Sequence, residues 1–314
     1  PSEAAGTLWF DQAARRWSDA LCAASATDPR WLPELRAGHE VAGPLLPQVA
    51  EALGLRPGLP VVTGGGDAAT GAVSVGAVEP GAGLISLGTS AQLLVAGDSY
   101  TPNPARFVHA FAHTLPDRWV QMAAMLNGAR PLAWFAGIAG AQIGPLLAEA
   151  EATDPARVPL FLPYLTGERS PHGDPHIRGA FFGLEDSTSR AAMMRAAVEA
   201  VAFCFADAFA SFDSPAQDPG PLPALGGGAR SDFLLQVLAD VTGHAVYRPE
   251  GAPAGPAIGA ARLAALALGR ISRTDLARRP VPTQLFTPRD APALRARLDR
   301  WRALYAALRP LSLP

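Results

Sequence analysis

The stretch Val61-Val62-Thr63-Gly64-Gly65-Gly66-Asp67 joins a short apolar, β-branched run to three glycines and a carboxylate. The run from Leu59 to Thr63 predicts a buried strand, and the small residues from Asp67 to Val75 predict a helix. A strand, a glycine turn and a helix in succession are typical of α/β proteins. The stretch therefore predicts an α/β fold in which Asp67 follows the end of a strand.

The order Gly64-Gly65-Gly66-Asp67-Ala68-Ala69 formally fits G-x-G-x-x-A, the turn that binds dinucleotides in Rossmann folds. In that fold the helix N-terminus receives a pyrophosphate, and Asp67 would place a second negative charge beside it. Alternatively, the glycines let a substrate approach the backbone while Asp67 acts as a general base. A third interpretation is that Asp67 only caps its helix, and this turn alone does not separate the last two.

Two further glycine-rich turns follow along the chain. Apolar arms from Leu84 to Val95 surround Gly88-Thr89-Ser90 and predict a hairpin, whose free N–H groups can cradle phosphate without a lysine. A predicted strand over 222–225 runs into Gly226-Gly227-Gly228-Ala229-Arg230-Ser231, which is flat enough to admit a planar base or a sugar. Taken alone, the hairpin is more simply an ordinary turn. Further on, Gly259 and Ala260 in a predicted helix are best explained by close helix packing.

A polar segment interrupts the otherwise apolar chain at Tyr164-Leu165-Thr166-Gly167-Glu168-Arg169-Ser170-Pro171-His172-Gly173-Asp174-Pro175-His176. His172 and His176 have the spacing of a metal pair on a helix. However, Pro175 precludes the regular helix that such ligation requires. The segment therefore predicts a structured surface or cleft loop, and no metal-ligating residue is predicted.

Length and composition narrow the class of protein. The chain has 314 residues, more than one hydrophobic core usually serves, so two lobes are expected. A net charge of −2 gives no reason to expect nucleic acid or a membrane surface as a partner. All 26 basic residues are arginine, which excludes Schiff-base enzymes and Walker-type P-loops. Two cysteines, Cys22 and Cys204, exclude a structural zinc site and a disulfide scaffold and favour a cytoplasmic setting.

Six motifs occur in order, and together they resemble the FGGY family of carbohydrate kinases over nearly the whole chain. The resemblance implies the actin-like (ribonuclease H-like), two-lobed α/β sugar kinase fold, with ATP and sugar bound in the cleft. It divides the chain into residues 1–80, from the N-terminal domain, and residues 81–314, the C-terminal nucleotide-binding domain. A homodimer is a family expectation. The six motifs are residues 61–67, 86–90, 167–172, 179–184, 225–231 and 255–261.

The resemblance also implies a reaction and roles for particular residues. The reaction is phosphorylation of D-xylulose to its 5-phosphate with ATP and Mg²⁺, and Asp67 matches the base that takes the proton from the sugar hydroxyl. Gly88 and Thr89 match a phosphate-binding hairpin. The positions that match nucleotide contacts are Gly128, Gly228, Ala229 and Ser231.

Two departures from the family pattern affect these expectations. Ala68 stands where the xylulose-phosphorylating members usually have asparagine, which leaves glycerol, ribulose and gluconate as alternative substrates. The opening residues do not match the Asp-x-Gly-Thr hairpin with which members begin, so the first lobe is expected to be incomplete and the chain alone to have little turnover. Two other classes stay open, namely a nucleotide-binding module without catalysis and a nicotinamide-dependent oxidoreductase.

Overall fold

A mixed β-sheet forms the centre of the computed structural model, which describes residues 1–212, 219–251 and 255–312. Within these ranges the sheet has seven strands in the order β13-β12-β11-β5-β6-β8-β7. Strand β11 runs parallel to both β5 and β12, whereas the other neighbours are antiparallel. The strands are β5 (Gly83–Leu87), β6 (Ala91–Gly97), β7 (Val108–Ala112), β8 (Trp119–Met125), β11 (Leu222–Leu225), β12 (Val246–Pro249) and β13 (Pro282–Phe286).

Helices cover the sheet and bury its apolar residues. The longest, α6, is buried along most of its length because apolar and small side chains occupy every face of it. No single helix in the described ranges is both long and apolar enough to cross a membrane, although α4 and α5, bent by 99°, pass that test as a pair. The helices are α1 (Asp19–Ala24), α2 (Pro47–Leu53), α3 (Asp67–Ser74), α4 (Arg130–Ile138), α5 (Ile143–Glu151), α6 (Arg190–Phe209), α7 (Asp232–Thr242), α8 (Gly255–Ala267), α9 (Arg273–Leu276) and α10 (Pro292–Leu308).

The closest helix packing joins α3 to α8. A Cβ atom on Gly259 would overlap the carbonyl oxygen of Thr70, so the contact requires glycine at that position. Packing is therefore confirmed as the role of Gly259, but Ala260 is exposed and the same prediction for it was wrong. Arg262 donates to the C-terminal carbonyls of α3 at Val73 (2.9 Å) and Ser74 (3.0 Å). The contact of Gly259 with Thr70 and the two hydrogen bonds from Arg262 together hold α3 in place.

Short paired strands make up the first part of the chain: β1 (Phe10–Asp11) with β2 (Arg16–Trp17), and β3 (Val41–Pro44) with β4 (Pro60–Val62). The predicted buried strand over Leu59 to Thr63 is β4, and Val61 is 43% exposed. The prediction of burial was wrong because β4 pairs with β3 alone, in a two-stranded ribbon. A 3₁₀ turn over Ala4–Thr7 precedes β1. One further pair, β9 (Leu160–Leu162) and β10 (Ala180–Phe182), flanks the polar segment.

Candidate functional site

A cleft of about 750 Å³ opens where α3, the β5–β6 hairpin and the start of α8 meet. Its floor is the cleft-facing side of β5 and β6, and its far wall is the turn after β11 together with the end of β12. Both of the helices α3 and α8 present their N-termini to it, an arrangement that favours anionic ligands. Its polar side chains belong to Asp67, Ser86, Ser90, Gln92, Arg230, Arg248, Glu250 and Thr283.

Asp67 is the first residue of α3 and is exposed at the cleft. The N-cap position belongs to Gly66, so Asp67 is not the cap that one interpretation made it. Its Oδ1 atom accepts from the N–H of Ala68 at 2.7 Å. The Gly66 N–H instead donates to Glu3 at 2.6 Å, across 63 positions of sequence. The carboxylate of Asp67 is therefore accessible to a ligand in the cleft.

A second cavity of about 200 Å³ lies on the other side of Asp67. Glu3 and the Gly66 turn form one side of it, and residues of β6, β7 and β8 form the other. His113 lines this cavity with its ring almost wholly buried, and its Nε2 lies 3.2 Å from the carbonyl oxygen of Ala77. Burial lowers the pKa of His113 to about 4, so the imidazole is neutral at pH 7.

The hairpin loop between β5 and β6 is Gly88-Thr89-Ser90, as predicted. Backbone N–H groups of the loop after β8 donate to its carbonyl groups. The N–H of Ala129 donates to the Gly88 carbonyl at 2.7 Å, and the N–H of Gly128 donates to the Thr89 carbonyl at 3.1 Å. A Cβ atom on Gly128 would lie 2.5 Å from the Ser90 carbonyl, so only glycine fits there. In the part of the chain that the structure describes, the N–H groups of Thr89 and Ser90 donate to no other protein group. These donors are available to a phosphate.

The turn after β11 packs directly on the base of the hairpin. Gly226 has φ +92°, and a Cβ atom there would lie 2.7 Å from the carbonyl oxygen of Leu87. Gly228 also contacts Leu87, while Ser231 caps α7 by accepting from the Leu234 N–H at 3.2 Å. The two glycine turns, 138 residues apart between Gly88 and Gly226, thus form one surface.

The cleft contains three of the residues that the sequence singled out: Asp67, Gly88 and Ala229. The other four lie beside or behind its wall. Thr89 is exposed at the hairpin tip, Gly128 and Gly228 support the two turns, and Ser231 begins α7. Their assignment to the nucleotide stays a prediction.

Three charged cleft residues were given no role in the sequence analysis: Arg230, which lies in the third glycine turn, and Arg248 and Glu250, which lie outside the motifs. Arg230 lines the cleft, and within the described ranges it makes no hydrogen bond or ion pair with another residue. Arg248 holds the turn in place by donating to the Ala229 carbonyl at 2.9 Å and to Asp232 at 2.7 Å. Glu250 adds a carboxylate opposite Asp67. No local motif marks Arg248 or Glu250, because only the sheet order brings β12 beside the glycine turn.

The cleft residues fit a magnesium-bound nucleotide. Mg²⁺ in kinase sites is held by substrate phosphates, waters and one or two carboxylates rather than by a full protein cage. Asp67 and Glu250 supply carboxylates, and the described residues contain no cluster of three or more metal-ligating side chains. The paired histidines of the polar segment are used differently. His172 bonds to the Tyr164 hydroxyl at 3.0 Å and stacks on Tyr305, whereas His176 is exposed.

Comparison with known families agrees with this geometry. The description "FGGY family of carbohydrate kinases, C-terminal domain" matches residues 83–268, and the N-terminal domain of the same family matches residues 1–74. The chain therefore belongs to the FGGY family of carbohydrate kinases. The Rossmann interpretation of the first glycine turn is excluded, and the actin-like sugar kinase fold is confirmed.

The curated proteins and solved structures most like this chain in the comparison are named as sugar kinases. The chain is 39% identical to the xylulose kinase of Escherichia coli strain K12, over 99% of its own length and 65% of the relative's. A solved structure described as a xyloylose kinase from Brucella ovis is 38% identical with a TM-score of 0.92, and covers 99% of this chain and 65% of that one. A gluconate kinase from Lactobacillus acidophilus shares the fold with a TM-score of 0.89 at 22% identity, over 98% and 64% of the two chains. The chain thus spans about two thirds of the length of these proteins.

Proposed function

We propose that this chain carries the nucleotide cleft and the catalytic base of an ATP-dependent kinase that phosphorylates D-xylulose to D-xylulose 5-phosphate. The observation that supports this most is the placement of Asp67 in the same cleft as the hairpin of Gly88 and the turn at Ala229. A base and a phosphate cradle facing one space are what phosphoryl transfer to a hydroxyl requires. The division into lobes is proposed at residues 80 and 81, between α3 and β5.

The proposed mechanism assigns each group to one task. Asp67 accepts the proton of the sugar hydroxyl as that oxygen attacks the terminal phosphate. The hairpin N–H groups of Thr89 and Ser90 and the Arg230 guanidinium, which have no partner within the described ranges, stabilise negative charge on the phosphates. When bound, Mg²⁺ supplies neutralisation of phosphate charge. Because phosphoryl transfer depends mainly on positioning and charge stabilisation, the absence of lysine is no obstacle.

Xylulose is proposed over other sugars because the most similar relatives given above are named as kinases of that ketose. Gluconate, ribulose and glycerol are the alternatives, and Ala68 keeps them open. The methyl group of Ala68 replaces an amide that would otherwise be able to contact a sugar hydroxyl. A homodimer and a cytoplasmic location stay predictions.

The nucleotide assignment is tested by titrating the 314-residue chain with Mg·ADP in a calorimeter, with NAD as the control ligand. Saturable binding of ADP and no binding of NAD are expected. Enlarging the turn with Gly228→Val should weaken ADP binding, because a side chain there would press on Leu87 and the hairpin base. A folded chain that binds no ADP contradicts the nucleotide assignment.

An experiment that tests the substrate assignment requires the sugar-binding residues of the first lobe. The chain is therefore fused behind the segment of E. coli xylulose kinase that precedes the region of similarity. Phosphorylation is then measured on D-xylulose, ribulose, gluconate and glycerol. We expect D-xylulose to give the highest kcat/KM, and a clear preference for another sugar refutes the assignment. Restoring asparagine with Ala68→Asn should raise the preference for D-xylulose.

A further inference from the structure

The part of the polar segment from Thr166 to Ser170 does not line the cleft. It contacts the end of β8, where Arg169 donates to the Ala124 carbonyl at 3.0 Å and Ser170 accepts from the Ala124 N–H at 3.0 Å. These contacts bring the segment against the loop of residues 126–129, which connects β8 to α4. The segment and the hairpin therefore lie on opposite sides of that loop.

Glu168 is the one acidic residue of this contact, and it is 2% exposed. Three donors surround its carboxylate. Oε1 accepts from the N–H groups of Leu126 at 2.6 Å and Arg169 at 2.8 Å, and Oε2 accepts from the Asn127 side chain at 3.1 Å. Burial raises the pKa of Glu168 above its usual range. A buried carboxyl group is costly unless its oxygens accept hydrogen bonds, and these three bonds offset that cost.

Asn127 links the carboxylate of Glu168 to the backbone of the polar segment. Its side chain is fully buried, and its Nδ2 also donates to the Gly167 carbonyl at 2.9 Å. Its Oδ1 has no hydrogen-bond partner among the described residues. The side chain is therefore oriented by the two acceptors of the polar segment rather than by its own carbonyl.

The next two residues reach the phosphate hairpin. Gly128 and Ala129 donate to the carbonyl groups of Thr89 and Gly88, as described above. These two hydrogen bonds fix the backbone of the hairpin against the loop of residues 126–129. A continuous path of short contacts thus runs from Glu168 through Leu126 and Asn127 to the hairpin.

We propose that Glu168 is a positioning residue, which holds the loop of residues 126–129 against the hairpin and so orients the N–H groups of Thr89 and Ser90 toward phosphate. This role rests on the proposed nucleotide site. It accounts for a buried carboxyl group in a part of the polar segment that does not line the cleft.

The test separates phosphate binding from nucleoside binding. Dissociation constants for Mg·ADP and for adenosine are measured with the 314-residue chain and its Glu168→Ala variant. ADP binding should weaken about tenfold, the scale of one buried hydrogen bond left unmade, while adenosine binding stays unchanged. A general loss of stability would not change this ratio. Glu185→Ala, an exposed glutamate after the segment, is the matched control and should bind both ligands normally.

Two more variants keep the test decisive. Glu168→Gln retains an oxygen for Leu126 and Arg169, but its amide cannot accept from Asn127, and a flip of Asn127 would turn its Oδ1 toward the Gly167 carbonyl. ADP affinity should therefore fall, but by less than in Glu168→Ala. Glu168→Asp retains the charge but withdraws it by one methylene group, so ADP affinity should fall. It replaces Glu168→Ala where that variant does not fold.

Amide exchange in the ligand-free chain provides an independent measurement. The amides of Gly128 and Ala129 should exchange about tenfold faster in Glu168→Ala, while those of β11 do not change. The proposal is overturned if Glu168→Ala changes neither the exchange rates of these amides nor the ratio of the dissociation constants for ADP and adenosine. If the unmodified chain binds no ADP, the proposed function fails, and the exchange rates alone then decide whether Glu168 holds the hairpin.

Discussion

Replacing His113 by glutamine should remove a large part of the acid sensitivity of this protein. In the folded chain the ring is 1% exposed, its Nδ1 accepts from the Leu115 N–H at 3.1 Å, and its Nε2 lies 3.2 Å from the Ala77 carbonyl. This geometry fits a neutral ring with its proton on Nε2. A glutamine amide can still donate to Ala77 but cannot take up a proton.

The size of the effect follows from the pKa. Burial lowers the pKa of His113 from 6.5 to about 4. Between these values the unfolded chain binds a proton that the folded chain does not, so the free energy of unfolding falls as the pH falls. The contribution of the neutral ring is fully present above about pH 6.5. It decreases by about 2 kcal/mol at pH 5 and by about 3 kcal/mol at pH 4.

Urea unfolding near pH 7.5 and near pH 5 measures this contribution. Carboxylates and other histidines also titrate between these conditions, so the comparison is between variants. The free energy lost by the unmodified chain should exceed that lost by His113→Gln by about 2 kcal/mol. The exposed His176→Gln should lose as much as the unmodified chain. Equal losses in all three proteins would refute the assignment of a neutral, buried His113.

Three further predictions concern the cleft and its supports. Asp67→Asn in the fused kinase should lower turnover by about 10²- to 10⁴-fold in a coupled assay. It should leave ADP binding unchanged in the calorimeter. Undiminished turnover would show that Asp67 is not the catalytic base. Gly128→Ala should cost about 1–3 kcal/mol of unfolding free energy and weaken ADP binding, because the new methyl group meets the hairpin. Gly137→Ala, where a Cβ meets no atom, should do neither. Arg262→Met should lower the free energy of unfolding by about 1–3 kcal/mol, because the carbonyl groups of Val73 and Ser74 lose their donor. Arg270 is exposed, and Arg270→Met is the control. Equal effects of the two substitutions would contradict the prediction.

Local patterns in the sequence predicted the strand, glycine turn and helix around Asp67 because adjacent residues determine these features. The hairpin at Gly88 and the strand over residues 222–225 were predicted for the same reason, and the structure confirms both elements. In these places hydrophobic periodicity and turn chemistry agree with the final fold. The order of family motifs then placed the three turns in a common cleft.

Contacts between distant parts of the chain could not be predicted in this way. Arg248 and Glu250 reach the cleft only because β12 pairs with β11, and nothing near either residue marks that pairing. The exposure of Val61 has a similar cause, since an apolar, β-branched run predicts a strand but not the number of its neighbours. The capping of Gly66 by Glu3 also joins residues that are far apart in sequence. Such features depend on tertiary structure.

The contact of Gly259 with Thr70 has a consequence for how the cleft can change over evolution. Helices α3 and α8 begin at the cleft, and their separation is limited where the missing side chain of Gly259 lets their backbones touch. Any larger residue there would push the helices apart and move Asp67 relative to the hairpin of Gly88 and the turn at Ala229. The width of the cleft is thus encoded at a position that need touch neither sugar nor nucleotide. Variation at this glycine would alter the cleft without replacing any residue that lines it.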